Sequence, residues 1–258
     1  MKKVSYSLMA IALSILCMIG INQSSKAQEN IDVNEIVDKA DQKMRGESSK
    51  GTMRMTIVRP NWTRTIEMKN WSKGDEYFMV YITAPAKEKG QAFLKRDNEM
   101  WHWLPSIDRM VKLPPSMMMQ SWMGSDFTND DLMKESSIVK DYDKELMGEE
   151  EIEGYDTYKI KLTPKPEAAV VWGKIIIWIT KENYYQMKAD YYDEFGTLVQ
   201  TMIGSEIETL DNRKLPTKMT MIPSDKEGHK TILKFVEMDF NIPIETSFFS
   251  QQKMKRIH

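Results

Sequence analysis

From residue 52 almost to its end the chain alternates apolar and polar positions with a period of two, broken at turns and by one long interruption. In Thr52-Met53-Arg54-Met55-Thr56-Ile57 the two methionines and Ile57 face one way, while Thr52, Arg54 and Thr56 face the other. That is the pattern of an antiparallel strand buried on one face. Pro60-Asn61 and Lys73-Gly74-Asp75 turn this strand into two more, over 63–71 and 76–83, giving a meander at roughly ten-residue spacing. The same signals predict strands over 91–95, 100–104 and 109–113, and again over 144–151, 155–163, 174–181, 186–193, 199–209, 215–223 and 229–237. Between them stand turn sequences such as Asp97-Asn98, Gly154-Tyr155, Asp193-Glu194-Phe195-Gly196, Asp211-Asn212 and 224–228. Tyr77-Phe78-Met79-Val80-Tyr81-Ile82 is apolar on both faces, so something must cover this strand on each side.

Two segments depart from the strand period. Val33, Ile36, Val37, Ala40 and Met44 recur at three-and-four spacing and Gly46 follows as a stop, which predicts a helix with one apolar stripe. Asp32 and Glu35 approximate a capping box at its start. From about 114 to 140 the alternation ceases, and a short helical or irregular excursion is expected, with Thr128 and Asp131 capping one turn. About a dozen sequential antiparallel strands do not stay flat; they curl into a barrel or half-barrel. The expected fold is therefore mainly β (α+β), an incomplete antiparallel barrel. The helix and the excursion would lie on its concave face as a lid over a hydrophobic cavity.

The N-terminus places this fold outside the cytoplasm. Lys2 and Lys3 precede an apolar run from Leu8 to Ile21, then Gln23, Ser24 and Ser25, as in a secretory signal. Ser25-Lys26-Ala27 supplies small residues for a peptidase, so cleavage is expected after Ala27, leaving a single domain over 28–258. The run is about 14 residues, short of the roughly 20 needed to span a bilayer, which disfavours a retained anchor. Cys17 is the only cysteine, and Leu16 before it is too bulky for a lipoprotein signal. A mature chain without cysteine has no disulfide, thiolate metal site or cysteine nucleophile. Removal of Lys2, Lys3 and Lys26 takes the formal charge from −2 to about −5, an acidic balance that argues against nucleic acid as a partner.

Catalytic signatures are missing. His102, His229 and His258 are not spaced for metal ligation. Gly124-Ser125-Asp126 and Gly204-Ser205-Glu206 lack the second glycine of a nucleophile elbow, and neither a Walker loop nor a dinucleotide fingerprint occurs. Asp126, Asp130 and Asp131 do not have calcium-loop spacing, and capping is the better reading of them. No enzyme activity, metal or cofactor is expected. What stands out is Met100–Leu132, rich in Trp and Met. Among 22 methionines most suit core filling, but Met117, Met118, Met119 and Met123 beside Trp122 specify a rigid core poorly and suit an adaptable apolar surface.

The same stretch carries a resemblance. Met100-Trp101-His102-Trp103-Leu104-Pro105, then Arg109, then Ser121-Trp122-Met123-Gly124-Ser125-Asp126-Phe127 and Asp130-Asp131-Leu132 resemble the central phrase of the outer-membrane lipoprotein-sorting proteins, the LolA-like periplasmic carriers. Pro85-Ala86-Lys87-Glu88, Gly90 and Phe93-Leu94 are similar too. The chain departs at Trp103, where Tyr is common, at Trp122, where Phe is common, and at Thr128-Asn129, where Ser and an aromatic are common. The resemblance implies an incomplete barrel closed by helices, with lipoprotein acyl chains or another lipid held between sheet and lid. It also implies a periplasmic monomer that meets an inner-membrane transporter and an outer-membrane acceptor. Trp101, Trp103, Met117, Met118, Met119, Trp122, Met123 and Phe127 are the expected ligand-binding residues. A lipid-sensing regulator of envelope stress using the same fold is the alternative, and an enzyme acting on envelope lipids or glycans or a plain structural role ranks below it.

Overall fold

The computed structural model describes residues 32–97, 99–133, 138–168 and 170–257. The leader and cleavage site expected at 1–27, Asn98 of the Asp97-Asn98 turn and His258 lie outside the described residues. The apolar stripe at three-and-four spacing forms α1 (Val33–Arg45), with Ile36, Val37 and Ala40 buried. Gly46 ends it at φ +67°, its N–H bonding the Gln42 carbonyl at 2.9 Å, a conformation that a side chain would strain.

The alternating segments form β1 (Ser48–Arg59), β2 (Trp62–Lys73), β3 (Tyr77–Ala84), β4 (Ala92–Arg96), β5 (Glu99–Leu104) and β6 (Arg109–Leu113). After the interruption come β7 (Tyr142–Ile152), β8 (Tyr155–Pro164), β9 (Lys174–Thr180), β10 (Gln186–Tyr192), β11 (Leu198–Leu210), β12 (Arg213–Pro223) and β13 (Lys230–Phe240). All belong to one 13-stranded sheet in the order β6-β5-β4-β3-β2-β1-β13-β12-β11-β10-β9-β8-β7. Two meanders are thus joined where β1 pairs with β13, and the order ends on β6 and β7, a curved sheet that does not close. The mainly β, incomplete-barrel reading of the sequence is the observed fold.

Register decides which residues share a face. Met53 pairs with Met68 and Met55 with Ile66 across β1 and β2, and Met219 pairs with Leu233 across β12 and β13. Met202 pairs with Met221 and with Ala189, which pairs with Ile177 and so leads to Ile160. These residues line the inner face, on which α1 rests against β7, β9 and β12. At Gly51 a methyl group would clash with Met238 Sδ and the Glu237 carbonyl; the β1–β13 register shifts just beyond it, between Thr52 and Met53, and only glycine fits.

The outer face of β3–β5 is covered by a chain end that periodicity does not predict. Met79, Tyr81, Ala92, Leu94 and Trp103 pack with Phe249, Met254 and Ile257. A short helix there, α3 (Gln251–Met254), is capped by Ser250, whose hydroxyl accepts from the Lys253 N–H. A further short helix, α2 (Asn129–Met133), lies inside the interruption.

Candidate functional site

Residues 114–133 leave β6 and cross the inner face, and 138–141 lead into β7. Their path is set by polar bonds to the sheet. Met123 (φ 52°) and Gly124 (φ 76°) are left-handed, which turns their carbonyls outward to be met by Arg64 Nη2 and Arg59 Nη2, the latter at 3.1 Å. Asp126 Oδ2 accepts from Arg59 Nη1 at 2.9 Å and from the Thr231 hydroxyl at 2.7 Å; Arg59 and Asp126 are both largely buried. Thr128 and Asp131 form the capping box that their spacing predicts, Asp131 N donating to Thr128 Oγ1 at 3.0 Å and Thr128 N to Asp131 Oδ2 at 2.8 Å.

Beneath α1 and this segment lies a cavity of about 190 Å³. Its floor is apolar: Met53, Met202, Met219, Met221, Leu233, Phe235, Met238, Ile175 and Ile177. Four of these methionines come from strand positions whose alternation is visible in the sequence. Long unbranched side chains on β-strands make a deformable wall, because each can change rotamer without moving the backbone.

The cavity is polar at two places. On one side Asp131 accepts from Trp172 Nε1 and Gln200 Nε2, each at 3.0 Å, tying the crossing segment to the β8–β9 loop and to β11. Burial raises the Asp131 carboxyl above the ordinary carboxylate range despite these bonds. Tyr142 beside it is raised as well, first by burial and then by the negative charges of Asp130, Asp141 and Asp131. On the other side stand Asp41, Arg45, Asp75 and Lys95. Arg45 pairs with Asp41, Lys140 with Asp75, and Lys95 Nζ donates to the Asp75 carbonyl. Burial is the largest single influence on Asp75 and would raise it, but the Lys140 hydrogen bond, a backbone hydrogen bond and the charges of Lys140 and Arg45 together outweigh burial and hold the carboxyl below its usual value.

The residues singled out in the sequence are divided among five places. Phe127 lines the cavity. Met118 and Trp122 are buried within the inner cover, Trp122 against Phe93 with ring centroids 5.1 Å apart. Met117 and Met123 line a second, polar pocket with Arg64, Glu88, Gln91 and His102, while Met119 is 51% exposed. Trp101 and Trp103 are on the outer face, Trp103 buried with the C-terminal residues and Trp101 packed beside them. The strand adjoining the cover was expected to present both tryptophans to it. Instead Met100 and His102 face inward, because the strand is apolar on both sides and period two leaves the choice of face open. His102 stacks on Phe93 at 4.1 Å and bonds Gln91 Oε1 at 2.8 Å; burial lowers its pKa to about 4. Trp172, Gln200 and Tyr142 were not anticipated, since no spacing links them, whereas Ala40 and Met44 belong to the apolar stripe that predicted a helix over the concave face. Among the described residues no group of three His, Cys, Asp or Glu side chains is placed to hold a metal ion. No helix among them is long and apolar enough to cross a membrane.

Comparisons with known proteins bear on this architecture. Residues 74–256 match a family model described as "Uncharacterized protein". A DUF1329 family protein from Desulfovibrio piger superposes with a TM-score of 0.78 at 26% identity, covering 86% of this chain and 97% of that one. An outer membrane lipoprotein-sorting protein domain from Vibrio parahaemolyticus gives 0.76 at 22% identity, over 86% of this chain and 98% of that one. A LolA superfamily protein from Nitrosomonas europaea gives 0.75 at 24%, over 86% and 99%. No curated protein matches the sequence.

Proposed function

Because the chain belongs to the family whose model matches residues 74–256 and shares the fold of LolA-like lipoprotein-sorting proteins, we propose that it is a periplasmic carrier. It holds lipoprotein acyl chains, or the chains of another lipid, beneath α1 and the crossing residues 114–133 and moves them towards the outer membrane. The observation that carries this reading is the methionine-lined cavity between the sheet and its inner cover. Each methylene moved from water into such a space contributes about 0.8 kcal/mol, so ten of them supply roughly 8 kcal/mol without one polar contact. In this reading the leader exports the chain with cleavage after Ala27, a transporter loads the cavity at the inner membrane, and an acceptor empties it.

Of the eight residues named from the sequence, we assign Phe127 to the ligand wall. Met117, Met118, Met119, Trp122 and Met123 serve the cover, and Trp101 and Trp103 anchor the opposite face. The carrier role is tested by native mass spectrometry of the protein exported into its own envelope, with extraction of the lipids that leave with it. One acylated species per chain, absent from a Met221→Trp variant in which indole fills the cavity, is the expected result. A ligand-free mass that takes up neither added lipids nor lipopeptides would sink the proposal.

A further inference from the structure

Large apolar side chains left in water are not spread evenly over the fold. Successive hairpins put their turns alternately at the two ends of the sheet, so the β1–β2, β5–β6 and β10–β11 turns share one end with the β3–β4, β8–β9 and β12–β13 connections. At that end Trp62 is 50%, Ile107 62% and Phe195 84% exposed, and Ile222 is exposed next to the end of β12. The other exposed large apolar side chains among the described residues are Met119 in the crossing segment and Met147 and Val236 in mid-strand. None belongs to the turns of the opposite end, which carry Glu76, Asp97, Glu153, Glu182 and Asp211 instead.

Local structure holds each tip in place. The Trp62 ring stands over the Arg59 guanidinium at 5.8 Å, and Arg59 is fixed by Asp126. Ile107 closes a 3-10 turn that Pro105 opens. Asp193 Oδ1 accepts from the Phe195 and Thr197 N–H groups at 3.0 and 2.8 Å, so the donors of that turn are satisfied without water while the Phe195 ring stays in solvent. Spacing decides what the three tips fit. In sheet order each lies four strands from the next, roughly 19 Å along the sheet edge at about 4.8 Å per strand. A protein partner is held by a contiguous cluster near the middle of an interface. Separate prongs suit a surface that is apolar at one depth wherever it is touched, and the boundary between lipid head groups and acyl chains favours Trp and buried apolar side chains. We propose that this rim docks the chain on a lipid bilayer, with Trp62, Ile107 and Phe195 entering that boundary. Arg59 also pins the crossing segment through Asp126, so docking sets the cover of the cavity beside the bilayer. Docking of this kind does not depend on what the cavity holds, and so goes beyond the carrier reading.

The test is co-sedimentation of the exported chain with vesicles of phosphatidylethanolamine and phosphatidylglycerol, with tryptophan quenching by brominated acyl chains as the measure of depth. The parent chain is expected to bind and to be quenched. Trp62→Ser, Ile107→Ser and Phe195→Ser together should weaken binding at least about a hundredfold, and each alone by up to about tenfold. An unchanged urea midpoint shows that the triple variant is folded, since all three side chains are already in solvent. Met147→Ser with Val236→Ser removes exposed apolar side chains elsewhere and should leave vesicle binding as it was. A parent chain that does not bind vesicles overturns the proposal and hands the tips to a protein partner. Undiminished binding by the triple variant, or an equal loss in the mid-strand variant, overturns it as well. Lipid uptake into the cavity is read separately by native mass spectrometry in detergent, so a chain that docks through its tips but takes up no lipid removes the carrier and leaves the docking rim standing.

Discussion

Strands β3–β5 are covered on both faces, and the two covers are made of different chemistry. On the outer face the C-terminal residues lay aromatic and aliphatic side chains on Met79, Leu94 and Trp103. Phe248 meets Trp71 and Phe249 meets Tyr77 at centroid distances of 5.5 and 5.4 Å, and Phe249 is fully buried. On the inner face the crossing segment lays one large ring, Trp122, on Phe93 and is otherwise held by a handful of directional bonds from Arg59, Arg64, Thr231, Trp172 and Gln200, with a cavity alongside. Apolar contact is distributed over many atoms and yields only when all of them are exposed. A few hydrogen bonds can be released together and re-formed with water. The outer cover is a seal; in the carrier reading proposed above, the inner one is the side that opens.

Removing a ring from the seal should have the largest effect. Phe249→Ala is expected to cost about 3–5 kcal/mol of folding stability, seen as a lower urea midpoint, with lipid affinity of the remaining folded protein unchanged. If lipid binding falls in proportion, the two faces are coupled and the contrast fails. Next comes the pin between Arg59 and Asp126. Asp126→Ala leaves a buried guanidinium without its carboxylate, at a cost of about 3 kcal/mol, and should also speed lipid release measured by stopped-flow transfer to acceptor vesicles. A slower or unaltered release would mean that the segment does not gate the cavity.

A smaller and sharper comparison uses one residue type on each face. Met79 is buried in the outer cluster and Met202 borders the cavity. Met79→Ala should lie in the range of about 2–5 kcal/mol expected of a filled core, and Met202→Ala near or below its lower end, because a side chain beside a void has fewer contacts to lose. Equal losses in thermal or urea unfolding would indicate that the cavity wall is packed as tightly as the seal.

The strands, their turns and the helix α1 are legible in the sequence because each depends on local period and on Gly, Pro, Asn or Asp at turns. The capping box of Thr128 and Asp131 was legible for the same reason. Sidedness was not. Trp101 and Trp103 alternate with Met100 and His102, and both pairs are apolar enough to be buried, so only the arrival of Phe249, Met254 and Ile257 on one side settles the matter. Nor was the cavity's polar lining legible: Asp131, Trp172 and Gln200 are brought together by sheet order, 41 and 69 residues apart from Asp131. Phe248 and Phe249 follow the last strand with no periodic signal, which is why the outer seal went unpredicted.

The subtlest difference between the covers is electrostatic. The outer cluster is built without a carboxyl group, whereas the inner cover carries Asp131, whose carboxyl burial raises despite donors from Thr128, Trp172 and Gln200. Asp130, Asp141 and Tyr142 are the other ionisable groups whose fields reach the same place. A carboxyl raised above the ordinary value of about 3.9 keeps its proton in the folded chain at pH values where the unfolded chain has lost it. The folded state then binds more protons, so this contribution is full at low pH and declines as pH rises from about 4 through the folded pKa. Asp131→Asn carries no charge at any pH and serves as the reference. The stability difference between the parent chain and this variant, followed by urea unfolding from pH 4 to 8, should shift against the parent chain as pH rises. A difference that stays constant would show that the three hydrogen bonds outweigh burial, and that the inner cover closes without regard to pH.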